Sequence, residues 1–441
     1  MSLLICKVLK HLLVYGAKSY EPDSTQMNYT KWCLCQVTLF RELRDTHREH
    51  CDKLDKFSVL MMKTLSEFEE HLFASMAPVL ADTVQLCAKF VMTNTIDSLS
   101  DLSLVIHCGN LLRSISRRFS ATNKKISPPT DSGVSQCTNI FLSVFSIDIL
   151  EALMQHIVVS YLPPSRAELE EWTADPEGYV TTEDSESFRY VLRPCIETLY
   201  VGLFYDFGTV LSNLSQELRR EIREFDVNNT TERNILKLCA VFKALGLTAT
   251  CHESSCSGLL NGLGQELLNF FSLPSGQYFV LQQHALWLIG EALTLILPSH
   301  EQRVNIYRVV GVVLSEAKAD LVLKVTACKV LRTALEAEDF NGDLFRPFAK
   351  ELFSAMIRLL IETVECDTKL LVLRVVSLAI VNGGKDLSTE HADVLVGYLP
   401  QLWDLSAEHN LLRGAVIETL ADLVQVYFSI PLCFLIECLS A

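Results

Sequence analysis

The chain has 441 residues, of which 53 are acidic and 38 basic, leaving a formal net charge of −15. Apolar residues make up 49%, enough for an extensive core and too many for an intrinsically disordered protein. The acidic balance argues against a nucleic-acid binder, which grips phosphates with a dense Lys/Arg surface, and favours basic partners.

Seventy-one leucines against only 18 glycines and 13 prolines favour long helices over sandwiches or α/β sheets. This length exceeds one ordinary core, so the choice lies between several globular domains and a repeat array. The opening MSLLICKVLKHLLVYGAKSY is apolar, but Lys7, Lys10 and His11 interrupt any signal-peptide stretch. Residues 51–74 place Leu54, Phe57, Leu60, Met61, Leu65, Phe68 and Leu72 on one helical stripe. Pro78 is read as opening the next helix, and further helices are expected over 102–119 and 140–161.

Two stretches break the pattern. Residues 113–136 carry Arg113, Arg117, Arg118, Lys124 and Lys125 and two adjacent prolines, and read as a basic exposed loop. Residues 164–188 hold eight acids and no base between Arg166 and Arg189, an acidic insertion between two helices. An aromatic, Trp172, is unexpected in a merely solubilising loop. The insertion is therefore expected to form an electrostatic docking strip through Glu168, Glu170, Glu171, Trp172, Asp175, Glu177, Glu183 and Asp184.

The second half is periodic. Leu281/His284, Leu321/Lys324, Leu371/Arg374 and the looser Leu411/Arg413 recur at steps of 40, 50 and 40 residues, each opening an apolar helix. A period of about 40–47 residues with two helices per repeat is that of HEAT or armadillo arrays. The expected fold class is all-α, a HEAT-repeat superhelical solenoid of roughly ten helix pairs over residues 1–425. Residues 426–441 form a divergent apolar tail. The apolar run Leu423–Ile436 is 14 residues long and contains Pro431, too short to span a bilayer.

Fifteen cysteines lie mostly among apolar neighbours at helical spacing, as do Cys87, Cys239 and Cys328, and read as buried reduced thiols of a cytosolic or nuclear protein. No catalytic site, cofactor or metal is expected. NGGKDLS around Lys385 lacks the residues of a P-loop, and GLLNGLG (258–264) has the wrong spacing for a dinucleotide loop. Cys33, Cys35, His47, His50 and Cys51 are spaced poorly for zinc, and Cys251, His252 and Cys256 read as part of a Ser/Gly loop.

ELEEWTADPEGYV (168–180) followed by SFRYVLRPCIETLYVGLF (187–204) resembles the mid-chain segment of the importin-β (karyopherin-β) superfamily. ALWLIGEAL (285–293), ETVECDTKLLVL (362–373) and YLPQLWDLSAEHNLLRGAVIETLADLVQ (398–425) are similar, in order, to its importin-11 branch. The resemblance implies a nuclear transport receptor, not an enzyme. It would shuttle between cytoplasm and nucleus through the pores and bind basic protein cargo, Ran with GTP, and phenylalanine-glycine nucleoporins. A monomer without direct nucleic-acid contact or membrane insertion is expected. Residue 1 already aligns with the family's middle portion, so a shortened form is expected, without the N-terminal Ran-binding importin domain and with apolar faces exposed at both ends. The alternative is a HEAT-repeat scaffold or adaptor outside transport.

Overall fold

Each apolar stripe in the sequence becomes a helix that buries itself against its neighbours in the chain. The computed structural model describes residues 2–16, 24–97, 102–124, 147–183, 190–207, 211–226, 230–249, 266–273, 275–294, 299–316, 319–384 and 389–428. Among these there is no β-strand, and no helix is long and apolar enough to cross a membrane. Two compact units emerge, Met1–Ser165 with Glu186–Arg220, and Arg166–Ser185 with Glu221–Ala441.

The first unit begins with α1 (Ser2–Tyr15), α2 (Ser24–Thr46) and α3 (Cys51–His71), followed by α4 (Leu80–Thr93), α5 (Leu102–Lys124) and α6 (Ile147–Ser160). It is completed by α9 (Leu192–Phe207) and most of α10 (Ser212–Arg223). Helix α3 packs on α2 and α5, and α5 in turn packs on α9. Leu60, Met61, Leu65 and Phe68 of the expected α3 stripe are buried, while Leu54 and Phe57 lie at its half-buried margin. Pro78 sits within a 3-10 turn, Phe73–Val79, just ahead of α4, rather than opening that helix. The Arg193 guanidinium donates to the carbonyls of Tyr161, Leu162 and Pro163, closing the end of α6 with a side chain from α9.

The expected basic loop is helical in its first half. Arg113, Arg117 and Arg118 belong to α5, where Arg118 donates to the buried Glu69 carboxylate at 2.8 Å and covers the Phe73 ring. A charged side chain on one helix can thus serve the neighbouring helix's polar demand, which linear charge density does not reveal. Residues 125–136, with Lys125 and the two prolines, lie outside the described residues.

The second unit consists of α7 (Arg166–Ala174), α8 (Pro176–Glu183), α11 (Glu232–Thr248), α12 (Ser275–Leu293), α13 (His300–Ser315) and α14 (Leu321–Glu336). It continues through α15 (Gly342–Glu362), α16 (Cys366–Gly383), α17 (Thr389–Leu405) and α18 (Asn410–Phe428). Helices α12, α14, α16 and α18 form one layer, each packed on the next, while α13 and α15 pack together in a second. The layer begins its helices at Ser275, Leu321, Cys366 and Asn410, steps of 46, 45 and 44 residues. That step is more regular than the leucine spacing in the sequence, and it falls within the HEAT range. Local signals punctuate the repeats: a Ser299/Gln302 capping box opens α13, Asp320 caps α14, Asn341 caps α15, and Gly384 at φ +59° follows α16.

A buried cation sits at the fourth residue of two of these layer helices. Lys324 pairs with Glu362 at 2.9 Å, and Lys369 donates to the carbonyls of Leu360 and Thr363 at the end of α15 and to Tyr398 Oη. Arg413, fourth in α18, lies over the Trp403 ring instead. Arg374, the residue matched to Lys324 by its distance from a leucine, is exposed.

Cys87, Cys239 and Cys328 are buried, and burial pushes the Cys328 thiol up to about 12. Apolar side chains are exposed on α1, where Leu4 is 65% and Leu12 62% accessible, and on α18, where Leu411 is 72% accessible.

Lys369→Met should leave the α15 carbonyls without their donor and lower the stability of the second unit by about 2 kcal/mol in urea denaturation. In the first unit, burial and nearby Lys63 push His107 down from 6.5 to about 4, so the native state holds it neutral. Its contribution is complete above pH 6.5 and is lost as pH falls towards 4, because the unfolded chain takes up the proton first. His107→Gln should therefore flatten that part of the acid limb in urea melts taken between pH 7 and 4.

Candidate functional site

The acidic insertion is not a loop but a helix pair, α7 and α8, joined at Asp175. Pro176 supplies a pre-set first helical turn, and Asp175 Oδ1 accepts the Gly178 N–H at 3.0 Å as an N-cap. A Cβ at position 178 would stand 2.2 Å from Asp175 Oδ2, so glycine is what lets the carboxylate approach.

Trp172 is only 2% accessible and packs against Val180, Val322 and Val325, with the rings of Tyr179 and Phe279 centred 5.0 and 5.6 Å away. Its indole N–H donates to Asp320 Oδ1 at 3.1 Å, and the same oxygen accepts the Leu323 N–H at the start of α14. Glu177 is 6% accessible, and its two oxygens accept the N–H groups of Val364 and Glu365 at 2.7 and 3.0 Å. Those amides belong to the N-cap residue of α16, Glu365, and to the residue before it, and Glu365 makes no side-chain cap of its own. A carboxylate at a helix N-terminus satisfies orphan donors and complements the helix dipole. The insertion thereby holds the starts of two neighbouring helices of the layer, α14 through Trp172 and α16 through Glu177.

These positions divide the eight residues expected to form a docking strip. Trp172 and Glu177 face inward, so neither offers a partner an accessible surface. Asp175 is exposed, although its carboxylate caps α8, and Glu168 is half-buried. Glu170 and Glu171 point to solvent, with Arg166 bonded to Glu170 at 3.0 Å. Glu183 ends α8 without a described side chain, and Asp184 lies outside the described residues.

Beside the insertion lies a cleft of about 400 Å³ between α8, α14 and α16. Val180, Val325 and Leu371 give it an apolar lining, and Lys329, Arg332, Glu336 and Asp367 bring both signs of charge. Such a mixture suits recognition of a chain segment or small polar group. The sequence did not single out this cleft, because its residues come from three helices separated by nearly 200 positions. Cys33 is buried and Cys35 exposed on α2, which sends the two thiols in different directions. No group of three His, Cys, Asp or Glu with metal-binding geometry occurs among the described residues, while residues 251–256, 258–264 and Lys385 lie outside them.

No family model matches the chain. It is 27% identical over 430 residues to importin-11 of Homo sapiens, a match covering 96% of this chain and 43% of that protein. The importin beta-like protein KAP120 of Saccharomyces cerevisiae is 24% identical over 307 residues, covering 67% of this chain and 28% of its own length. Among solved structures, Lph2, described as a bidirectional nuclear transport receptor of S. cerevisiae, superposes with a TM-score of 0.78 at 21% identity. It covers 96% of this chain and 43% of Lph2. Kap121p bound to Nup53p follows with a TM-score of 0.53 at 14% identity, covering 88% and 34%. Along nearly its whole length the chain is similar to importin-11, and over two thirds of it to an importin beta-like protein. Its fold is the all-α HEAT-repeat solenoid expected from the period, and it spans 43% of the length of the importin-11 it matches. In this chain the D-P-E element is architectural: aspartate caps one helix, proline starts it, and glutamate receives the amides that lead into another.

Glu177→Ala should cost about 1–3 kcal/mol, the penalty for stranding two N–H groups, and Trp172→Ala about 3–5 kcal/mol. Glu170→Lys with Glu171→Lys should stay within about 0.5 kcal/mol. Urea denaturation compares the three; equal losses would remove the distinction between clamp and surface.

Proposed function

We propose that this chain acts as a nuclear transport receptor, or as the corresponding portion of one, binding protein cargo, Ran with GTP, and phenylalanine-glycine nucleoporins. The observation that carries this reading is the match to importin-11 along 96% of the chain. Lph2 is described as a transport receptor, and Kap121p has been seen bound to Nup53p, Ste12p and Pho4p, which supports protein partners of the same kind here. Such a receptor would move between cytoplasm and nucleus and pass through the pore.

In this reading the exposed Glu170 and Glu171, with the half-buried Glu168, are the part of the acidic strip that meets a basic partner surface. Trp172 and Glu177 support the strip from below. A net charge of −15 gives long-range attraction to basic cargo, an effect screened beyond about 8 Å at physiological salt.

The test is a pull-down of the chain with Ran loaded with GTP or GDP, and with a phenylalanine-glycine nucleoporin segment, after circular dichroism has confirmed folding. Binding to the GTP form alone supports a switchable receptor, and nucleoporin binding without Ran discrimination supports a pore-docking portion. Binding to neither moves the assignment to a HEAT scaffold. For any partner captured, Glu170→Lys with Glu171→Lys should weaken binding several-fold at low salt and progressively less as salt rises, with the melting temperature unchanged.

A further inference from the structure

Among the described side chains of α8, the clamp leaves one exposed. Thr181 is exposed on the last turn of that helix and lines the cleft of about 400 Å³ together with Lys329 and Arg332 of α14. Its hydroxyl donates only to the Glu177 carbonyl within its own helix, at 3.0 Å. Downstream the sequence is acidic, with Glu183, Asp184 and Glu186, the context that acid-directed serine/threonine kinases read. Across the cleft, Arg332 bonds Glu336 at 3.0 Å with the two side chains 40% and 45% accessible. An ion pair that exposed is weak and readily exchanged for a doubly charged phosphate, which takes charge-assisted hydrogen bonds from a guanidinium.

We propose that Thr181 is a phosphoacceptor whose phosphate is received by Lys329 and Arg332, fastening the C-terminal end of α8 to α14. In the transfer, Thr181 Oγ1 bonds to the γ-phosphorus of ATP held by the kinase, and the bond to the β-phosphate oxygen breaks. ADP departs, and the hydroxyl proton passes to the kinase's carboxylate base. The modification would also fill the cleft and close it to other ligands. The inference stands independently of the transport reading.

The direction of the effect on α8 decides the matter. A phosphate near a helix C-terminus opposes the helix dipole, and Thr181 would lose its bond to Glu177, so the modification alone should fray α8. Two receiving cations reverse that sign.

The experiment treats the full chain with ATP and an acid-directed serine/threonine kinase, maps phosphate by tandem mass spectrometry, and follows amide exchange over residues 176–183. Phosphate is expected on Thr181, with exchange slowed about tenfold by the new charge-assisted bonds. In a Lys329→Ala/Arg332→Ala chain the same modification should accelerate exchange. Should that double variant fail to fold, the half-buried Arg332→Gln serves, with most of the slowing lost. Absence of phosphate from Thr181, faster exchange in the unsubstituted chain, or equal slowing in the variants would each overturn the proposal.

Discussion

Helix starts carry N–H groups that the helix itself cannot satisfy, and in the second unit this one demand organises the inserted segment. At α14 the demand is met locally by Asp320, whose carboxylate is shared with the Trp172 indole. At α16 Glu177, nearly 190 positions away in the chain, takes the N-cap N–H with one oxygen and the N–H before it with the other. Burial of the Trp172 ring among valines and aromatics supplies the apolar part of the attachment, and the two polar contacts fix its register. Removing either contact would leave a buried polar group without a partner, so ring and carboxylate hold only as a set.

The same economy appears at the opposite ends of helices. Lys369 spends its ammonium on the last carbonyls of α15, and Arg193 spends its guanidinium on the three carbonyls that follow α6. Cations at helix C-termini and anions at N-termini are the arrangement that the helix dipole favours. In a stack of antiparallel helix pairs, each helix end lies beside the start of another helix. A charged residue placed early in one helix can then serve the helix before it.

Sequence reasoning read the fold well but not which side chains of the insertion are buried, for identifiable reasons. Helical periodicity shows as a stripe in the residues themselves, so α3 was anticipated with its buried face. The repeat period was legible because every layer helix carries a strongly apolar run. Its exact register was not: distance from a leucine selected Arg374, whereas counting from the helix start selects Lys324 and Lys369. Linear charge density made a loop of 113–136, yet the helix expected over 102–119 runs on to Lys124, and Arg118 within it answers the buried Glu69. Trp172 was rightly singled out as unusual, but a tryptophan among acids says nothing of which way the ring faces. Glu177 looked like its acidic neighbours because its partners are backbone amides, which no pattern of side chains records.

That division bears on what a family motif can mean. The residues by which this chain is recognised, Trp172, Asp175, Pro176 and Glu177, are those whose side chains or backbone build the clamp. Their presence therefore carries information about the fold and the attachment of the insertion. It carries little about the partner, since neither the ring nor the Glu177 carboxylate reaches the surface. Partner choice has to be written in groups that stay accessible after the clamp has formed: Glu170 and Glu171 on α7, and the charged lining of the cleft beside α8. Two chains can share such a clamp and differ at those positions, keeping one architecture while meeting different proteins.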